Sequence, residues 1–114
     1  MKISELAALC NAKTLCEGED RNIESGYTCD LLSHVMSHGV AGMAWVTVQT
    51  HMNVVAVATL LDFACVIVPE GIAVDEAIVE KAADEGVTIL STERTAYEVV
   101  ALLAQNGVPA ARKS

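Results

Sequence analysis

The segment 43–71 limits the possible folds of this chain more than any other stretch. It contains two short runs of strand-forming residues, 45–48 and 66–68, separated by the nearly all-apolar segment 54–61. The two runs are too short for helices, and a continuous apolar run is typical of a parallel strand that is buried on both faces. The apolar segment between them predicts a helix that is buried on more than one side. Residues 43–71 therefore predict a strand–helix–strand unit in a parallel sheet.

Strand and helix patterns continue on both sides of this unit. Strands are predicted over 13–16, 23–28 and 87–90, and helices over 31–37, over 75–85 and from Thr95 to the stop at 106–107. Thr95 and Glu98 have the spacing of a capping box. We therefore expect a single compact α/β domain over residues 1–109, with a mostly parallel sheet of about five strands flanked by helices in Rossmann-like βαβ units. Residues 110–114 are predicted to form a disordered tail.

Composition narrows the class of protein. The net charge of -8 disfavours nucleic acid as a partner, and 53% hydrophobic residues in 114 is high for a small domain. The apolar excess predicts that part of the surface covers a second copy, so we expect a homodimer. No apolar run is long enough to span a membrane and no signal-peptide core is visible, which predicts a soluble, cytoplasmic protein without a membrane partner. The four cysteines lack Cys-x-x-Cys spacing, so they indicate neither a zinc knuckle nor a redox pair and are expected to be free thiols. No cofactor is assigned.

Polar residues stand at several predicted strand-to-helix junctions. These candidate ligand-binding residues are Asp30, Thr50, His51, Asn53, Glu70, Ser91 and Thr92. Because the carboxyl ends of parallel strands meet at one edge, they would share the rim where ligands of open α/β sheets bind. Helix N-termini at that rim favour an anion. The alternative is that Asp30, Thr50 and Thr92 only cap helices.

Metal and catalytic motifs are weak. His34 and His38 are four residues apart and would share a helix face, the spacing of a metal pair, but histidines at the end of a helix also suit its dipole. We therefore assign no metal site and keep these two residues as weak candidates. Neither Gly-x-x-x-x-Gly-Lys-Ser/Thr nor Gly-x-Gly-x-x-Gly is present, so no catalytic residue is assigned.

Four segments carry a resemblance to a known family. They are Gly-Tyr-Thr-Cys-Asp-Leu-Leu-Ser-His-Val-Met at 26–36, Gln-Thr-His-Met-Asn-Val-Val-Ala-Val-Ala at 49–58, Cys-Val-Ile-Val at 65–68 and Ile-Leu-Ser-Thr at 89–92. Together they resemble the stand-alone DRTGG-domain proteins, which are related to the N-terminal region of HPr kinase/phosphorylase. The resemblance implies a regulatory, dimerising module of the kind found beside CBS domains in regulated pyrophosphatases and beside acyltransferase domains. The Asp-Arg position of the family appears here as Thr50-His51, and its Thr-Gly-Gly position as Pro69-Glu70-Gly71.

These observations predict a non-catalytic regulatory or sensory module that is homodimeric and can bind a small, nucleotide-like ligand at the carboxyl edge of its sheet. One alternative is a small transferase or hydrolase that uses His51 as acid or base, with Thr50 or Asn53 orienting the substrate. Another is an interaction subunit of a larger enzyme complex. The expected partners are thus a second copy, a small-molecule ligand or a partner enzyme.

Overall fold

The computed structural model describes residues 1–113 and contains one mixed sheet with helices on both faces. The elements in chain order are α1 (Ile3–Leu9), β1 (Lys13–Cys16), β2 (Ser25–Thr28), α2 (Leu32–His38), β3 (Met43–Val46), α3 (Met52–Leu60), β4 (Cys65–Val68), α4 (Glu76–Glu85), β5 (Ile89–Ser91) and α5 (Ala96–Gln105). The sheet has the order β1-β5-β4-β3-β2. Strands β2 to β5 are parallel, and β1 pairs antiparallel with β5. The predicted single α/β domain with a mostly parallel five-stranded sheet is confirmed.

Two apolar layers, one on each face of the sheet, form the core. Along β3, Met43 and Trp45 pack among residues of α2, α3 and α4, whereas Ala44 and Val46 pack among residues of α1 and α5. All four side chains are fully buried. The central strands read as continuous apolar runs because successive side chains enter different cores and neither face meets water.

Helix α3 is buried on one side only. Val54, Val55 and Val57 pack against the sheet, but Met52 and Leu60 are 39% and 68% exposed. The prediction that this helix is buried on more than one side is wrong within a single chain. An uncharged helix therefore leaves an apolar outer face on the surface.

Two predicted helix caps are wrong. Thr50 does not cap α3: the N-cap is His51, whose Nδ1 accepts the N–H of Asn53 at 3.1 Å. Asp30 does not cap α2: its carboxylate accepts the Thr47 hydroxyl at 2.8 Å and the Val48 N–H at 3.0 Å, which ties the ends of β2 and β3 together. At α3 the loop path brings His51 rather than Thr50 to the helix N-terminus, whereas the N-cap of α2 is Leu31 and no side chain caps it.

The predicted start of α5 and the predicted end of α4 are confirmed. The Thr95 hydroxyl accepts the Glu98 N–H at 3.1 Å, and Glu98 Oε1 accepts the Thr95 N–H at 3.1 Å, so the predicted capping box at the start of α5 is confirmed. Gly86 ends α4 with φ of 71°, a left-handed conformation that favours glycine.

The segment after α5 lies along the edge of β2. Gly26 donates its N–H to Pro109 O at 2.9 Å, and Ala111 donates to Gly26 O at 2.8 Å. Ala110 and Ala111, which the sequence assigns to a disordered tail, thus pair with the sheet, and Ser114 lies outside the described residues. Within residues 1–113, none of the helices has the length and apolar character needed to cross a membrane.

Candidate functional site

The carboxyl ends of β2, β3, β4 and β5 lie at one edge of the sheet because these strands are parallel. Strand β1 runs the other way, so its first residue, Lys13, lies opposite the last residue of β5, Ser91. Residues directly opposite each other in a ladder place their side chains on the same face. The α1–β1 connection therefore joins the edge at which ligands of open α/β sheets bind.

A cavity of about 650 Å³ opens at this edge, between the ends of β4 and β5 and the start of β1. Three chain segments line it: Cys10, Asn11, Lys13 and Leu15; Gly71, Ile72, Ala73 and Val74; and Ser91, Thr92, Glu93 and Arg94. Small-molecule sites commonly measure about 300–1,000 Å³. The cavity is thus large enough for a ligand of nucleotide size.

The charge of the cavity differs in sign from that of the chain. Two cations, Lys13 and Arg94, line it with one carboxylate, Glu93, whereas the whole chain has a net charge of -8. Arg94 Nη1 lies 3.3 Å from Glu98 Oε2 in an exposed pair. Lys13 has no ion-pair partner among residues 1–113. The cavity is therefore a site that can attract an anionic ligand although the surface as a whole is acidic.

A tight turn forms one wall. Glu70 and Gly71 both have φ of 66°, and Ile72 donates its N–H to Pro69 O at 3.4 Å. Positive φ at both central residues is the pattern of a type I′ turn, which costs little at Gly71 but is strained at Glu70. The Glu70 side chain offsets part of that strain, because its Oε2 accepts the N–H of Ala96 at 2.8 Å, at the start of α5.

Thr92 joins the three segments that form the cavity. Its buried hydroxyl donates to Cys10 O at 2.7 Å and accepts the Arg94 N–H at 3.2 Å. Its own carbonyl accepts the Gly71 N–H at 2.9 Å. These three bonds connect the end of α1, the turn after β4 and the loop after β5, so the shape of the cavity depends on Thr92.

The structure divides the seven predicted ligand-binding residues. Ser91 and Thr92 line the cavity, and Glu70 stands behind its wall with its carboxylate on α5. Thr92 does not cap a helix, since the N-cap of α5 is Thr95.

The other four candidates lie further along the edge, around the β3–α3 connection. The Asp30 carboxylate accepts a hydrogen bond from Thr47 in that connection. Thr50 is half-buried within the connection, and His51 caps α3. Asn53 lines a separate groove between α2 and α3. As an acceptor of a backbone N–H, His51 Nδ1 is occupied, which leaves Nε2 as the free ring nitrogen.

The two histidines of α2 stack on each other. Their ring centroids are 3.9 Å apart with an interplanar angle of 15°, and His38 Nδ1 lies 2.9 Å from His34 O. Stacked, near-parallel rings do not direct two nitrogens at one ion. Across the described part of the chain, no group of three or more His, Cys, Asp or Glu side chains could hold a metal ion.

Cys10, at the cavity wall, is buried, and burial raises the pKa of its thiol even though Arg94 acts in the opposite direction. A thiol held in its protonated form is a poor nucleophile. Cys10 therefore serves as wall and as backbone acceptor.

Sequence reasoning found only Ser91 and Thr92 among the lining residues and missed all three charged ones, Lys13, Glu93 and Arg94. The pattern at 13–16 does predict a strand, but nothing in it indicates that this strand runs antiparallel to β5. With that direction known, Lys13 would have been placed beside Ser91.

The layered sheet with an open carboxyl edge defines a small three-layer α/β domain that is built from βαβ units. More specifically, the chain belongs to the DRTGG domain family, whose sequence signature matches residues 5–106. No curated protein sequence matches the chain.

A solved structure with the same fold is that of the CBS and DRTGG domains of the regulatory region of Clostridium perfringens pyrophosphatase, complexed with the activator diadenosine tetraphosphate. The two structures share a TM-score of 0.76 at 14% sequence identity. The match covers 98% of this chain and 50% of the other, so this chain spans about half the length of that regulatory-region chain.

Proposed function

We propose that this DRTGG domain is a regulatory module that binds a small, nucleotide-like ligand at the carboxyl edge of its sheet and acts as a homodimer. The observation that carries the ligand part is the cavity of about 650 Å³ between Lys13, Ile72 and Arg94. It lies where open α/β sheets bind ligands, and Thr92 fixes its three segments to one another.

The Clostridium perfringens relative supports the ligand class. That regulatory region is complexed with a nucleotide activator. We therefore propose that this domain also binds a nucleotide and that the cavity is the binding site.

Blocking the cavity tests the ligand part. Ala73 is exposed on the cavity wall, so Ala73→Phe narrows the cavity without disturbing the core. The matched control is Ala83→Phe, at an exposed position of α4 that does not line the cavity. The assay is the thermal shift with AMP, ADP, ATP and diadenosine tetraphosphate, because a ligand that binds only the folded state stabilises it by about 2.7 kcal/mol at a hundredfold excess over Kd.

We expect at least one nucleotide to raise the melting temperature of the wild type and of Ala83→Phe, and to leave Ala73→Phe unchanged. An equal shift in Ala73→Phe would contradict the cavity as the site. The absence of any shift in the wild type would contradict the nucleotide class.

The homodimer part rests on an uncharged surface, which we call the α2–α3 surface and define by the exposed residues Leu31, Met36, Met52 and Leu60. A groove of about 300 Å³ runs between the two helices at this place. No Asp, Glu, Lys or Arg occurs anywhere in residues 31–61. Two identical chains of charge -8 repel each other, so a second copy can approach most easily at this face, which carries no acidic residue of its own segments. The Lys113 ammonium, which donates to Ser37 O at 2.8 Å, adds a positive charge beside it.

Leu60→Glu tests the dimer, since Leu60 is 68% exposed and the change leaves the isolated fold intact. The control is Val100→Glu, which is 37% exposed on α5, far along the chain from this surface. By light scattering, the wild type and Val100→Glu should have twice the chain mass of 12.0 kDa, and Leu60→Glu should have 12.0 kDa. A wild type of 12.0 kDa at micromolar concentration would contradict the homodimer and favour a partner enzyme as the occupant of this surface.

A further inference from the structure

Resting on the ligand site proposed above, we infer that the cavity selects a ribose phosphate group: the phosphate lies between Lys13 and Arg94, the vicinal hydroxyls bind Glu93, and the base is read only weakly. Different lining residues contact the phosphate, the hydroxyls and the base. Each of the three parts follows from a different set of side chains.

The phosphate position follows from the two cations. Lys13 begins β1 opposite Ser91, and Arg94 lies in the loop after β5, so the two approach the cavity from different segments. Lys13 has no carboxylate partner within residues 1–113. The partner of Arg94, Glu98, forms an exposed pair with it at 3.3 Å. Exposed pairs contribute little, so the guanidinium can leave Glu98 for a phosphate, to which it can donate two parallel hydrogen bonds.

The hydroxyl position follows from Glu93. This carboxylate lines the same cavity, and its Cγ lies 3.8 Å from where a Cβ on Gly71 would stand. An ionised carboxylate only accepts hydrogen bonds, so it repels a second anion and favours a ligand that donates. Acidic side chains bind ribose hydroxyls in this way in dinucleotide-binding sheets. Glu93 thus restricts the cavity to ligands that carry hydroxyls beside their single anionic end.

The low selectivity for the base follows from the apolar wall of the cavity. Leu15, Ile72 and Val74 supply aliphatic contact, and none of the described lining residues is aromatic. Aliphatic side chains bury a flat ring but neither stack on it nor recognise its edge. Different bases should therefore bind with similar affinity.

Calorimetry with AMP, UMP, ribose 5-phosphate, 2′-deoxy-AMP and adenosine tests the three parts. For the wild type we expect AMP and UMP to agree within about threefold, ribose 5-phosphate to bind more weakly but measurably, and 2′-deoxy-AMP and adenosine to bind at least about tenfold more weakly than AMP. Lys13→Gln and Arg94→Gln should each weaken AMP about tenfold and leave adenosine unchanged. Glu93→Gln should reduce the preference for AMP over 2′-deoxy-AMP.

The control is Lys81→Gln, which removes a positive charge on α4 that is paired with Glu85, away from the cavity. It should leave AMP binding unchanged, which separates a local contact from the change in net charge. Unchanged AMP affinity in both Lys13→Gln and Arg94→Gln, with binding still abolished by Ala73→Phe, would overturn this inference and leave the proposed site standing. Binding that survives Ala73→Phe would instead remove the site itself.

Discussion

Thr92→Val is the substitution whose cost follows most directly from the structure. The side chain is 4% exposed, and valine keeps its branched shape while removing the hydroxyl. The change leaves the Cys10 carbonyl without its donor at 2.7 Å, whereas the Arg94 N–H at 3.2 Å can turn to water. An unpaired buried carbonyl costs about 2 kcal/mol.

The new methyl group offsets part of this loss. Burying one more carbon contributes about 0.8 kcal/mol, so the free energy of unfolding should fall by about 1 kcal/mol. For a domain of this length the melting temperature should fall by about 4 °C. Urea unfolding should show a lower midpoint at an unchanged m-value, since the surface exposed on unfolding stays the same.

The control for this prediction is Thr14→Val on the neighbouring strand. Thr14 is exposed, so the same chemical change should alter stability by no more than about 0.5 kcal/mol. If Thr92→Val proves as stable as the wild type, the hydroxyl does not hold α1 to the β5–α5 loop, and the account of how the cavity is shaped is wrong.

Three further outcomes follow from the contacts described. The Thr95 backbone N–H and hydroxyl donate to Glu98 and hold the pKa of its carboxyl below the ordinary range, so the stability that these bonds add is present above about pH 4 and is lost as the pH falls further. Urea unfolding at a series of acidic pH values should therefore show the free energies of unfolding of the wild type and of Glu98→Gln converging below about pH 4. Burial raises the pKa of Cys65 to about 12, so a thiol reagent at pH 8 should label half-buried Cys29 in the native protein and Cys65 only after unfolding. The stability that comes from keeping the Cys65 thiol protonated is complete below about pH 9 and declines as the pH rises toward 12. A Cβ at Gly18 would collide with the Gly86 carbonyl oxygen, so Gly18→Ala should lower the melting temperature. Equal stability of the variant and the wild type would show that the backbone can move to relieve this contact.

The local pattern of apolar and polar residues predicted which segments form helices and strands, but it located the ends of those segments less accurately. Strand β1 occupies the predicted residues 13–16. Strand β5 was predicted over 87–90 but spans Ile89–Ser91. Val87 donates its N–H to Ala82 O and so belongs to the end of α4, although its side chain is as strand-like as those that follow.

The cavity could be predicted only in part, for a geometric reason. Hydrophobic periodicity locates a strand but not its direction or its neighbours. The polar residues after β4 and β5 were visible as junction residues, which is why Ser91 and Thr92 were identified. Lys13 reaches the same edge only because β1 is antiparallel, and no local signal expresses that.

The pairing of Lys13 with Ser91 also bears on the order of folding. The two residues stand near opposite ends of the chain, and the cavity needs both of them together with the turn at Gly71. Contacts so distant in sequence carry a large loop-closure cost and tend to form late. A partly folded chain would then lack the cavity, and a ligand would have nothing to bind until the sheet had closed. Binding should accordingly slow unfolding while leaving the refolding rate almost unchanged.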